Sequence, residues 1–91
     1  MEPTDADLVR DTLSNREAFS ALIHRYEARL GRYLERLGIS LREDREDLLQ
    51  NVFIKAYRNI HSFDPSLEFS SWIYRITHNE AMSFFRAKKA R

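Results

Sequence analysis

An apolar stripe is the strongest constraint in this sequence. Phe19, Leu22, Ile23, Tyr26, Leu30, Tyr33, Leu34 and Leu37 recur at three- and four-residue spacings. That period puts all of these side chains on one side of a single long α-helix. The stripe also has ends. Ser14-Asn15-Arg16-Glu17 before it reads as a capping box, in which each terminal side chain satisfies a backbone N–H that the first turn leaves free. Gly38 after it supplies the left-handed stop.

Such a helix must be covered, and the composition favours more helices over a sheet. Only two Gly and two Pro occur, and Val is scarce beside Leu, Ile, Arg and Glu. A short helix is expected from about Asp5 to Leu13, with Thr4 as N-cap and Asp7 in its first turn. A third is expected from near Ser40 or Asp44 to about Asn59, with Leu48, Leu49, Val52, Phe53, Ala56, Tyr57 and Ile60 on its apolar side. The segment His61 to Ser66 breaks it, because Pro65 forces its predecessor out of the helical region. A fourth helix runs from near Ser66 or Phe69 to about Lys88. Its stripe of Phe69, Trp72, Ile73 and Ile76 fails at the polar pair Asn79 and Glu80, and either Phe84 or Phe85 packs inward. The expected fold is all-α, a compact bundle of about four helices. Ninety-one residues are enough for one such domain and too few for two.

Several function classes drop out. Without Cys there is no disulfide, thiolate metal site or cysteine nucleophile, which fits a reducing cytoplasm. No apolar run approaches the roughly 18–20 residues that cross a bilayer, and the N-terminus is acidic rather than signal-like, so no membrane insertion is expected. The acidic group Glu43, Asp44, Glu46 and Asp47 crowds one helix start, where the dipole favours carboxylates without any metal. His24, His61 and His78 are scattered, and no Gly-rich phosphate loop or nucleophile elbow occurs. No metal, cofactor or catalytic residue is expected.

Charge and aromatics point elsewhere. Residues 75–91 carry Arg75, Arg86, Lys88, Lys89 and Arg91 against Glu80 alone, whereas residues 1–74 hold ten basic and thirteen acidic side chains. A basic end on a slightly acidic body fits a polyanion at that end, although a solvated tail has the same composition. Phe63, Trp72, Tyr74 and Phe85 stand close to Arg75, His78, Arg86, Lys88 and Lys89. Aromatic faces accept unstacked bases and cations hold the phosphates between them, so this combination suits single-stranded or opened nucleic acid. Asn79 adds an amide able to read a base edge. Trp72 can equally be a core residue. On the third helix, Asp44, Asp47, Gln50, Asn51, Ile54, Lys55 and Arg58 form a second, polar face, either solvated or protein-docking.

Two stretches carry a resemblance. Asp44 to Arg58, DREDLLQNVFIKAYR, resembles the polymerase-binding segment of extracytoplasmic-function (ECF) sigma factors of bacterial RNA polymerase. Phe69 to Asn79, FSSWIYRITHN, resembles their promoter-melting and −10-reading segment, with the basic Arg86-x-Lys88-Lys89 end following. The resemblance implies a region 2 domain over residues 1–91, acting in the cytoplasm by binding and not as an enzyme. By it, Asp47, Gln50 and Asn51, with Asp44, Leu48, Ile54, Lys55 and Arg58 around them, would dock on the coiled coil of the beta-prime clamp of RNA polymerase core. The loop from His61 to Glu68, with Ser62, Phe63, Asp64 and Ser66, would form a pocket for a flipped base. Ser71, Trp72, Tyr74, Arg75, His78, Asn79, Met82, Ser83 and Arg86, with Lys88 and Lys89, would meet the non-template strand of promoter DNA. An anti-sigma factor covering the clamp-facing surface is the further partner implied.

This sequence departs from the family pattern in places. Asn51 stands where members usually carry Glu or Asp, and Ser83 where many carry Asp. Arg75 and Ile76 occupy the region of the tryptophan pair of housekeeping sigma factors. The family's C-terminal −35-binding domain is expected to be absent from this chain, which ends at Arg91. Two rivals make different demands. A helix-turn-helix regulator of duplex DNA needs a turn of about 3–4 residues, shorter than the step from Ile60 to Phe69. A purely protein-binding helical adaptor would bind no nucleic acid.

Overall fold

The computed structural model describes residues 2–90. They form α1 (Asp5–Thr12), α2 (Ala18–Arg36), α3 (Arg42–Arg58), a 3-10 turn at Ile60–Ser62 and α4 (Phe69–Lys89), with no strand among the described residues. Thus the all-α bundle expected from the sequence is the fold. α1 packs on α2, α3 packs on both α2 and α4, and α4 closes the bundle against α2.

The ends of the helices follow from local chemistry. Thr4 caps α1 with a full capping box: Asp7 N–H donates to Thr4 Oγ1 at 3.1 Å, and Thr4 N–H donates to Asp7 Oδ2 at 3.0 Å. The box expected at Ser14–Glu17 does not form. Ser14 and Asn15 both donate their backbone N–H to Asp11 O, so Ser14 is used up in closing α1. Asn15 takes over, its Oδ1 accepting from Glu17 N–H at 3.1 Å, and α2 begins at Ala18. At the other end Gly38 has φ 110°, with Gly38 N–H on Glu35 O and Ile39 N–H on Leu34 O. That is the Schellman pattern, and it folds Ile39 back beside Leu34 in the core. Arg45 secures the α2–α3 corner by donating to Ile39 O and Ser40 O at 3.0 and 2.8 Å.

α2 supplies the centre of the core. Phe19, Leu22, Tyr26, Leu30 and Leu34 are buried, and each such side chain contributes roughly 1.5–3 kcal/mol of hydrophobic stabilisation. Around them sit Leu8 and Val9 of α1, Val52 and Ala56 of α3, and Phe69 and Ile73 of α4. Asp5 ties α1 down: its carboxylate accepts from Arg25 Nη1 at 2.8 Å and from the Tyr26 hydroxyl. Burial, and then the Asp5 carboxylate, push the Tyr26 phenol up to about 12.

The stripe of α4 does not fail after Ile76. It continues through Thr77, Glu80 and Ala81, all buried. Thr77 is accommodated because its hydroxyl donates to Ile73 O at 2.8 Å, leaving only a methyl to pack. A second core group joins Leu34, Ile39, Leu48 and Ala81, with Phe84 and Phe85 both half-buried against it. The inward residue at this end is therefore neither Phe alone but the pair, stacked edge to face at 5.6 Å.

Candidate nucleic-acid interface

The segment between α3 and α4 is a built loop. Phe63 is pulled into the core, 8% exposed, and its ring lies 5.8 Å from that of Phe69 and 5.0 Å from that of Trp72. Before it, the Ser62 hydroxyl donates to Asn59 O at 2.9 Å. After it, Asp64-Pro65-Ser66-Leu67 makes a turn, with Leu67 N–H on Asp64 O at 3.0 Å. Pro at the second position and Asp at the first suit that geometry. Asp64 Oδ1 accepts from the Ser66 N–H and hydroxyl at 2.9 and 2.7 Å, and these bonds hold its carboxyl below the usual carboxylate range.

On this platform α4 presents Trp72. Its indole is half-buried, resting on Phe63 and Phe69, with one part open to solvent. Two clefts flank it. One, about 300 Å³, lies between α3 and α4 and is lined by Lys55, Asn59, Ser62, Ile76, Asn79 and Glu80. The other, about 340 Å³, lies toward the loop and is lined by Ser66, Leu67, Glu68, Ser71 and Arg75. Ser71, Arg75, His78, Asn79, Ser83, Arg86, Lys88 and Lys89 are all exposed. At 3.6 residues per turn, Arg75, Asn79 and Arg86 fall on the same side of α4 as Trp72, with Lys89 beside Arg75 and Arg86 at the edge of that side.

Not every expected strand contact is available. Phe63 is a largely buried support for Trp72, and what remains open of it lines the groove shared with α1. Tyr74 is half-buried, its ring edge to face with Tyr33 of α2 at 5.2 Å, so it holds α4 on α2. Met82 is half-buried in the second core group. His78 is exposed, and its Nδ1 lies 3.0 Å from the Tyr33 hydroxyl. Arg86 donates to the Ser83 hydroxyl at 3.1 Å, and Lys88 Nζ sits 5.1 Å from the centre of the Phe84 ring. His61 is exposed and faces a groove shared with α1.

The polar face of α3 has a similar mixture. Asp47, Gln50, Asn51, Ile54 and Arg58 are exposed and Asp44 is half-buried. Leu48 is buried with Leu34, Ile39 and Ala81, so it belongs to the core and cannot be part of a docking face. Lys55 is exposed but engaged: its Nζ donates to Glu80 Oε2 at 2.7 Å. Beside this face Phe19, Ile23, Phe53 and Tyr57 line an apolar groove of about 430 Å³.

Sequence reasoning missed Glu80, Asn59 and Tyr33 as parts of these surfaces. Glu80 stood out only as the break in a stripe, and Lys55 lies 25 positions earlier, so no periodic pattern links them. Among the described residues no three His, Cys, Asp or Glu side chains converge as metal ligands, and no helix is long and apolar enough to cross a membrane.

Comparison with known proteins agrees with this arrangement. The family model described as Sigma-70 region 2 matches residues 22–91. The chain is 39% identical over 89 residues to the ECF RNA polymerase sigma-E factor of Haemophilus influenzae, covering 97% of this chain and 46% of that protein. It is 30% identical to RNA polymerase sigma factor CnrH of Cupriavidus metallidurans, over 100% of this chain and 49% of that protein. The chain thus spans about half the length of these curated relatives. An NMR structure of an engineered region 2 of sigmaE in complex with GTAAAA is similar at a TM-score of 0.85 and 37% identity, covering 98% of this chain and 95% of that one. This chain belongs to the Sigma-70 region 2 family, in the group of the ECF sigma factors.

Proposed function

We propose that this chain is the part of a bacterial transcription initiation factor that binds RNA polymerase core and holds the opened −10 element of a promoter. The observation that carries this is the half-exposed Trp72 on its floor of Phe63 and Phe69, aligned along α4 with Arg75, Asn79 and Arg86. A flat ring beside cations favours bases that have left the stack, because a duplex hides base faces. A flipped non-template base would settle in a cleft beside Trp72, and its capture offsets the few kcal/mol lost in unpairing. The similar sigmaE region 2 is described in complex with GTAAAA, which supports the same use of this surface here.

On α3, Asp47, Gln50, Asn51, Ile54 and Arg58, with Asp44 at the edge, are the residues for docking on the polymerase clamp coiled coil. An anti-sigma factor covering that face is the partner that fits an ECF member. Domain organisation follows the same reading: residues 1–91 act as region 2, and reading of a −35 element falls to a separate domain. The function is binding, without catalysis, in the bacterial cytoplasm.

The test has two arms. Single-stranded −10-type oligonucleotides should bind wild type and bind Asn79→Ala more weakly, and polymerase core should co-purify with wild type but not with Asp47→Arg. Equal binding of every strand, indifferent to Asn79, contradicts the promoter arm. Retention of core by Asp47→Arg contradicts the docking arm.

A further inference from the structure

The outer side of α2 carries a row of arginines. Arg25, Arg29, Arg32 and Arg36 follow one another at four- and three-residue steps, which puts them on one side of the helix. Arg25 is half-buried and spent on Asp5, at 2.8 Å. Arg29, Arg32 and Arg36 are exposed, and none is ion-paired among the described residues. The two acids of α2 lean elsewhere: Glu27 lies 3.7 Å from His24, and Glu35 lies 3.9 Å from Arg45 of α3. Like charges four residues apart weaken a helix, so helix stability alone does not account for the row.

Its place in the bundle ties it to α4. Arg29 and Arg36 stand four residues before and three after Tyr33, on the same side of α2. Tyr33 is the seam between the helices, with its ring against Tyr74 and its hydroxyl 3.0 Å from His78 Nδ1. The arginine row therefore runs beside the exposed face of α4 and extends it around the bundle. Arg29 is also held in place, its guanidinium 4.5 Å from the centre of the Tyr26 ring and its Nε and Nη2 donating to Arg25 O. A fixed guanidinium fork suits phosphate oxygens. Arg29 to Arg36 spans about 10 Å at 1.5 Å per residue, room for about three phosphates of a strand with one charge per 3.4 Å.

We propose that Arg29, Arg32 and Arg36 form a second phosphate track, which takes the backbone of a single strand where it leaves α4. This rests on the reading that α4 holds an opened strand. The track touches phosphates only, so it lengthens the held strand without reading its sequence.

The experiment uses the whole 91-residue chain and three single strands: GTAAAA, and GTAAAA extended by six thymidines at its 5′ or its 3′ end. Six nucleotides are enough to cross the 8–10 Å between packed helix axes and run along α2. One extended strand should bind tighter than GTAAAA, with the slope of log K against log[salt] steepening from about −2 to about −4. Between about 50 and about 200 mM salt it should lose about 300-fold in affinity, against about 18-fold for the short strand. In Arg29→Gln/Arg32→Gln/Arg36→Gln the extended strand should return to a slope of about −2, with GTAAAA binding unchanged and folding checked by a thermal melt. Arg29→Lys/Arg32→Lys/Arg36→Lys, which keeps the charges, should keep the steep slope. The comparison of short and extended strands needs only wild type, so it decides the point even if the glutamine variant is unstable. Equal slopes for all three strands, or a steep slope that survives the glutamine variant, overturns this inference alone. So does a glutamine variant that loses polymerase core but not the extended strand, since the row would then face protein. Failure of every single strand to bind overturns the strand-binding reading as well.

Discussion

The cations of α4 make a quantitative prediction about salt. Arg75, Arg86 and Lys89 are exposed on one side of the helix, and none is ion-paired among the described residues. Lys88 is turned toward the Phe84 ring instead. If each of the three neutralises one phosphate of a single strand, counterion release gives log K against log[salt] a slope of about −2. Raising salt from about 50 to about 200 mM should then weaken binding roughly 18-fold. The double variant Arg75→Ala/Arg86→Ala leaves one contact, a slope of about −0.7, and a loss of only about 3-fold over the same range. The assay is fluorescence anisotropy of a labelled single strand at a series of salt concentrations. Arg42→Ala is the control: Arg42 is exposed on α3 and paired with Glu46 at 2.9 Å, so the slope should not change. A double variant with the wild-type slope, or an equal change in Arg42→Ala, would refute the assignment of phosphate contacts to α4.

Other perturbations should separate packing from binding. Trp72→Ala removes a half-buried ring resting on two Phe rings, so it should cost about 2 kcal/mol, less than the 3–5 typical of a fully buried Trp. A thermal melt should show Tm falling by about 8–16 °C, while Trp72→Phe keeps most of both stability and strand affinity. Leu30→Ala opens a cavity at a 0% exposed site and should cost about 2–5 kcal/mol by urea denaturation, without changing strand contacts in the folded fraction. The Tyr26 phenol, raised from 10.0 to about 12, favours its neutral form in the folded state. Its stabilising contribution is therefore complete below pH 10.0 and lost as pH rises through about 12. Stability measured across that window should fall in wild type and fall less in Tyr26→Phe.

Much of the bundle was legible because it depends on periodicity. The eight-residue stripe of α2 and the stop at Gly38 are both present, and Thr4 caps α1 as its type and place imply. Local rules failed where two elements competed for the same group. Ser14 could cap α2 only if α1 ended without it, and α1 takes its backbone first. The apparent break in α4 was a misjudged polarity. Thr77 buries because its hydroxyl returns to the helix backbone, and Glu80 because a lysine 25 positions away meets it. The candidate interface was half visible. Aromatics and cations near Pro65 located it, but composition gave no means of telling Phe63 and Tyr74, which support the surface, from Trp72, which presents it. Likewise Leu48 sat in the right segment for docking while its side chain points into the core.

Trp72 is the only tryptophan in the chain, so its own fluorescence reports on the surface that matters. Titration with a single-stranded −10-type oligonucleotide should quench and shift that emission saturably, while the same sequence as closed duplex should leave it nearly unchanged. Emission indifferent to the single strand, or an equal response to the duplex, would mean that no base stacks on this ring.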